Sequence, residues 1–469
     1  SEMCIRDSSC YDCICPNMTS LVVKSYGQHR NICDLHSLHL KQAKYLLKTQ
    51  LGLSESSFSH SKSHPIYGTG QGSSASPTIW ALICCKLFES HDAHCFGAKF
   101  ASPDGSVKTQ VGMIGFVDDC YCSINNFDSN EINIQNLLSR AQFDSQLWSN
   151  LLSCTGGALE VPKVKYHILE YAFTASGKPY LVSPKDSYRI EIDARDGNGL
   201  QEMKALSTTT PRKMLGCYNE ITGQEKQSLK AITNNATKKA HRLFTSHLDH
   251  KCAFRYYHSM FLPSVLYSFP ANSISSIKLT HLDSCTIRKI LPKLGYNRYT
   301  ARAIVYGPTK FGGLNLRNFS DEQGLSKLEH LVKHLRSDST EARDHFQIAI
   351  QWVQFHAGIS FPILQNPQAW ELQYIDSVWF KDLLQFMVHK SLTAHLEGKH
   401  IPSLQQENDS FFMDHVLASS QFTQTQLRTI NYCRLYLNVC LVSDMSTCLL
   451  YTSDAADEGL GVDLGGRRI

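Results

Sequence analysis

Apolar residues recur along most of this chain at the three-to-four spacing of helices, with short alternating stretches between. From 17 to about 51, Met18, Leu21, Val22 and Tyr26, then Ile32, Leu35, Leu38 and Leu46, predict helix broken near Gly27. The Ser-rich stretch 54–67 predicts loop or edge strand. Leu82, Ile83, Leu87 and Phe88 predict a helix with Pro77 in its first turn. From Phe96 to Met113 the alternation predicts strand, a turn at Pro103-Asp104-Gly105, and strand. Met113 to Cys122 predicts two short strands with Asp118-Asp119 at the tip. A further amphipathic helix over 132–152 stops at Thr155-Gly156-Gly157. Strands are predicted over 166–192, with turns at Ser176-Gly177 and Pro184-Lys185, and from 218 to 445 the periodicity is helical.

Two of these stretches carry chemistry. Adjacent carboxylates on a rigid turn offer hard oxygen ligands of the kind Mg²⁺ prefers, with room left for substrate phosphates. Asp suits an ordinary hairpin turn equally, so the pair alone leaves both readings open. Gly68-Thr69-Gly70-Gln71-Gly72-Ser73 lets backbone approach a ligand closely. It feeds a helix N-terminus, a natural place for a phosphate or the edge of a base pair. A plain loop before a well-started helix would use the same residues.

Taken together, Gly-x-x-Gln-Gly-Ser-x-x-Ser-Pro (Gly68 to Pro77) and then Phe116-x-Asp118-Asp119 resemble motifs B and C of reverse transcriptases. The nearest likeness is to the non-LTR, LINE-like retrotransposon enzymes. The resemblance implies a polymerase palm in which Asp118 and Asp119 hold two Mg²⁺ ions, or Mn²⁺. It implies that Gln71, Gly72 and Ser73 meet the templating pair and the incoming dNTP. Tyr11, in Tyr11-Asp12, would be the motif A aromatic that closes against the sugar 2′ position. That alignment puts Arg6 where the family carries its first catalytic Asp. Leu159-Glu160-Val161-Pro162-Lys163 resembles motif D, whose lysine, here Lys163, lies near the departing pyrophosphate. Lys213-Met214-Leu215-Gly216-Cys217 resembles motif E, so Lys213, Leu215 and Gly216 would grip the primer strand. Phe311-Gly312-Gly313-Leu314 resembles the segment that follows the thumb.

A chain of 469 residues has room for two or three domains, and 42% hydrophobic with 19% charged residues gives it a sizeable core. The 17 cysteines read as reduced thiols of a nuclear or cytosolic protein, with Cys13/Cys15 and Cys120/Cys122 at alternating strand positions. No apolar run reaches membrane-spanning length.

Charge changes the picture beyond 218. From Tyr218 to Arg317 the only acids are Glu220, Glu225, Asp249 and Asp283, against fifteen Lys and Arg, a net of +11 where the whole chain carries +4. A solvated face mixes signs, whereas this excess points to a polyanion. Lys238, Lys239 and Arg242 are its densest cluster.

The two ends can be encoded by inverted copies of one DNA string, at Met3-Cys4-Ile5-Arg6-Asp7-Ser8 and Cys448-Leu449-Leu450-Tyr451-Thr452. This predicts that 1–8 and 448–469 are translated sequencing adapter and that the chain is an internal fragment. The expected architecture is an α/β (α+β) palm with an antiparallel sheet and partial fingers over 9–217. A basic helical thumb over 218–320 and a helical C-terminal segment over 321–447, of no legible role, follow. The expected parent activity is RNA-directed DNA synthesis, with RNA template, DNA primer and dNTP as partners, no membrane, and the fragment itself nearly inactive. A non-catalytic nucleic-acid-binding protein of the same architecture is the alternative. An RNA-dependent RNA polymerase would share the metal carboxylates without needing an aromatic at Tyr11.

Overall fold

The computed structural model describes residues 14–50, 52–59, 75–116, 119–126, 133–175, 179–185, 187–223, 225–365, 367, 374–375, 377–396, 404 and 408–445. Helix predominates among them, and the strands are short and paired two by two. The chain forms two compact units. The first is drawn from Ser1–Phe100, Thr109–Pro211 and Glu220–Thr222, the second from Ala101–Lys108, Arg212–Asn219 and Gly223–Ile469. The segments 218–320 and 321–447 therefore fall almost wholly in the second.

In the first unit, helices α1 (Pro16–Ser25) and α2 (Arg30–Gln42) are separated at Gly27, whose φ of +89° an L side chain would resist. Helix ends at Gln42, short of the expected 51. Lys44–Tyr45 instead pairs with Phe58–Ser59, and Lys48–Thr49 with Gly52–Leu53. Leu46, Leu47 and Leu53 are exposed there, so the apolar residues that continued the helical pattern have no core to face. The core lies between α3 (Ser76–Asp92), with Pro77 in its first turn as expected, and α4 (Ile134–Cys154). Asn133 caps α4, its side chain accepting the Asn136 N–H at 2.7 Å. Ile79, Trp80, Ile83 and Leu87 of α3 meet Leu138, Trp148 and Leu152 of α4 in one cluster with Cys120, Val161 and Ile192. Each such side chain stabilises the fold by roughly 1.5–3 kcal/mol.

Among the described residues the expected antiparallel pairing takes the form of separate two-stranded ladders, one of which is instead parallel, Lys165–His167 with Lys204–Leu206. Helix side chains close some of the edges. Gln146 of α4 donates to the Asp193 carbonyl at 3.0 Å and accepts the Asp193 N–H at 2.9 Å, and Gln142 accepts the Glu191 N–H at 2.8 Å. The strand Glu191–Asp193, paired with Leu200–Glu202, thus meets a helix where a third strand would have to bond.

The second unit is helical as expected. Helix α5 (Lys226–Thr245) buries Ile232, Ala236, Ala240 and Leu243. Next, α6 (His250–Tyr256) passes through a π-helical turn, Tyr257–Phe261, into α7 (Leu262–Leu266). With α8 (Ser276–Lys293), α9 (Arg302–Tyr306) and the start of α10 (Phe319–Leu335), these enclose a core rich in aromatic rings, Tyr257, Phe261, Phe269 and Phe319. A second core joins α10 to α11 (Thr340–Ala357), α12 (Val378–His389), α13 (Phe412–Ala418) and α14 (Gln424–Tyr436). Phe380 is buried in it and Trp379 and Phe386 pack against it.

Two buried cations of this unit, Lys327 and Arg434, have partners. Lys327 is fully buried, and its Nζ lies 2.6 Å from Asp382 Oδ2 and 2.6 Å from Ser273 Oγ. Burial lowers its pKa, with Asp382 opposing. Arg434 is also buried and donates to the carbonyls of Phe355 and His356 at 2.8 and 2.7 Å, satisfying the last turn of α11. The described cysteines are free thiols, and no described helix is long and apolar enough to cross a membrane.

Candidate functional site

The strands Met113–Phe116 and Asp119–Cys122 form the expected antiparallel hairpin, with Gly115 opposite Cys120 and Phe116 opposite Asp119. The hairpin lies along α3. An added Cβ at Gly115 would stand 2.2 Å from Cζ of Phe88, and one at Gly112 would stand 2.4 Å from Asp92 Oδ1. Neither glycine has a positive φ, so each serves close approach rather than backbone freedom. Phe88 in turn stacks on Trp148, with ring centroids 5.4 Å apart at 14°.

These two contacts give the direction. From Gly112 to Gly115 the hairpin advances towards its tip, while its partners on α3 step back from Asp92 to Phe88. The N-terminus of α3 and the tip of the hairpin therefore point the same way. Asp119 is half-buried at the tip end of its strand. Asp118, Gln71, Gly72, Ser73, Tyr11 and Arg6 lie outside the described residues.

Lys163 ends a 3-10 turn, Val161–Lys163, and its ammonium pairs with the Glu160 carboxylate three residues back. The pyrophosphate role expected of it would require exchanging that partner for a phosphate oxygen.

In the second unit, Arg212–Met214 and Cys217–Asn219 form a hairpin turned by Leu215 and Gly216, with φ of +47° and +88°. Two successive positive φ angles match the tight turn that suits a hairpin's twist. Lys213 and Leu215 are exposed, and the Tyr267 ring lies 3.5 Å from where a Cβ on Gly216 would be.

Helix α5 turns a basic row outward. Lys226, Lys230, Asn234, Lys238 and Arg242 stand four apart, all exposed, on a helix without an acidic residue. Lys239 is off this row, and its ammonium donates to the Met260 carbonyl at 3.2 Å. The cluster Lys238, Lys239 and Arg242 thus divides into two outward cations and one tied to its own unit.

One grouping was not anticipated from the sequence. His91, Asp92 and Cys95 bring Nδ1, a carboxylate oxygen and Sγ within 4.8 Å of one another at the C-terminal end of α3. The Cys95 N–H donates to the His91 carbonyl at 2.8 Å, so one more helical turn sets residues 91 and 95 on the same face. Asp144, fully buried, fixes the loop that follows by accepting the N–H groups of Phe96 and Gly97, both at 2.9 Å. Burial, then the nearby carboxylates of Asp144 and Asp92, push the Cys95 thiol up to about 11. The His-Asp-x-x-Cys spacing is the signal that would have found this group.

No family model matches this chain, and no curated protein matches it.

Proposed function

We propose that this chain comes from an RNA-directed DNA polymerase of the LINE-like reverse-transcriptase kind, the first unit serving as palm and the helices of 218–320 as thumb. The observation that carries the reading is the shared direction of α3 and the hairpin. Asp119, at the tip end of its strand, lies towards the end of α3 that begins at Ser76, the end that follows the Gly68–Pro77 motif in the sequence. A polymerase needs both there, the motif to seat a nucleotide pair and the carboxylate to meet its phosphates. The exposed basic row on α5, beside the Lys213–Gly216 hairpin of the same unit, supports a primer–template partner.

The carboxylates present fall short of a two-metal centre. Such chemistry needs carboxylates from two elements bridging both ions. Asp118 and Asp119 come from one hairpin, and the residue that the resemblance aligns with the second element's Asp is Arg6. Binding without turnover is thus the behaviour expected of the chain as written. The alternative, a non-catalytic nucleic-acid-binding protein, predicts the same for this chain and differs once the missing carboxylate is supplied.

The test replaces 1–8 by a strand carrying Asp at position 6 and measures dNTP incorporation on an RNA template with a DNA primer. Incorporation that Asp118→Ala abolishes supports the polymerase. Binding of the hybrid without incorporation, in the chain carrying that Asp, favours the non-catalytic reading.

A further inference from the structure

Beyond the carboxylate hairpin, the far end of α3 holds a second constellation that polymerase chemistry does not use. His91 is fully buried, and its Nε2 lies 3.3 Å from the Asp144 carbonyl oxygen. A carbonyl oxygen only accepts, so Nε2 carries the proton of that bond and Nδ1 is left with a lone pair. Nδ1 has no hydrogen-bond partner, since Asp92 Oδ1 stands 3.8 Å away, too far for one. A buried nitrogen without a partner is a cost to the fold that a bound cation would relieve. A histidine whose other ring nitrogen donates to a backbone carbonyl is in the arrangement typical of a metal ligand.

The donor separations lie within a few tenths of an ångström of those a cation needs. Ligands of a tetrahedral zinc, at about 2.0–2.3 Å from the metal, stand roughly 3.3–3.8 Å from one another. Here Nδ1 to Asp92 Oδ1 is 3.8 Å and Cys95 Sγ to Asp92 Oδ1 is 4.0 Å. Gly112 leaves the room, since an added Cβ would stand 2.4 Å from Asp92 Oδ1, 2.5 Å from Cys95 Sγ and 3.3 Å from His91 Nδ1. Asp92 is exposed, which gives an ion its way in.

We propose that His91 Nδ1, an Asp92 carboxylate oxygen and Cys95 Sγ bind one divalent cation of the zinc class. Mixed nitrogen, oxygen and sulfur donors select zinc or cobalt over magnesium. Binding forms a metal–sulfur bond and releases the Cys95 thiol proton to solvent. The site ties the last turn of α3 to the residues that follow it, beside Gly112, and it stands independently of the polymerase reading.

The probe is Co²⁺, titrated into the full chain under reducing conditions and displaced by Zn²⁺. The expected result is one tightly bound equivalent with a thiolate-to-cobalt absorption band. Cys95→Ser should abolish that band, Asp92→Asn should weaken binding by about tenfold or more, and Cys85→Ser, an exposed cysteine on the same helix, should change neither. Both test positions are accessible enough to be replaced without emptying the core, and a thermal melt of each apo variant checks folding. The absence of the band in the parent chain, or a band that survives Cys95→Ser, overturns the proposal.

Discussion

The Phe88 ring occupies the space that any side chain at Gly115 would need, with Cζ 2.2 Å from the Cβ position. A helix and a hairpin are locked together by one ring against one bare backbone. Gly115→Ala is expected to destabilise the first unit by roughly 1–3 kcal/mol, the usual cost of forcing extra volume into a packed contact. Combining it with Phe88→Leu should recover part of that loss, because the two positions share one space. Urea unfolding of the two single variants and the double variant measures the coupling. Strict additivity would mean that the ring and the glycine do not meet in solution.

Asp283 gives the second unit a pH dependence. Its carboxyl is buried, bonded by the Tyr306 hydroxyl, and burial pushes it up to about 7. A carboxyl whose folded value is raised binds its proton more tightly in the native state. Its contribution is therefore full below about pH 4 and is lost as pH rises through about 7, up to roughly 4 kcal/mol in all. Asp283→Asn should flatten this slope and raise stability at pH 8. Denaturation curves of both proteins between pH 5 and 8 provide the check, and parallel slopes would count against it.

Lys327 and Asp382 should be strongly coupled. Asp382→Leu alone strands the fully buried Lys327 ammonium and is expected to cost about 3–5 kcal/mol. Lys327→Met with Asp382→Leu should cost far less, since no charge is then stranded. A double variant as unstable as the sum of the singles would show that the pair is not a unit.

Hybrid binding should fall steeply with salt through α5. Replacing Lys230, Lys238 and Arg242 by Gln should reduce the slope of log affinity against log salt by roughly 2–3. Lys239→Gln should move it less, because that ammonium already serves the Met260 carbonyl. Equal effects from Lys239 and Lys238 would contradict the assignment of the outward row.

Period and punctuation made much of this legible in advance. Gly27 breaks α1 from α2, Pro77 opens α3, and the hairpin up to Phe116 and from Asp119 follows the alternation. Such signals are local, and the sequence carries them in full. What escaped depends on residues far apart along the chain. Gln142 and Gln146 close a strand edge 47 to 49 residues away, a pairing that no local pattern announces. The open space beside His91, Asp92 and Cys95 depends on Gly112 being bare, and Lys327 reads as a surface cation until Asp382 arrives. The basic excess was visible as a sum, but which cations face outward needed the register of α5.

That register has a consequence for the free protein. Lys226 with Lys230, and Lys238 with Arg242, are like charges one helical turn apart, each pair opposing the helix by about 0.2–0.5 kcal/mol. Added salt should therefore tighten α5 in the unliganded chain while loosening its hold on a polyanion, two slopes of opposite sign from one row of side chains. A bound strand would act as the missing counterion, so the second unit should melt at a higher temperature when occupied than any salt concentration achieves for it empty.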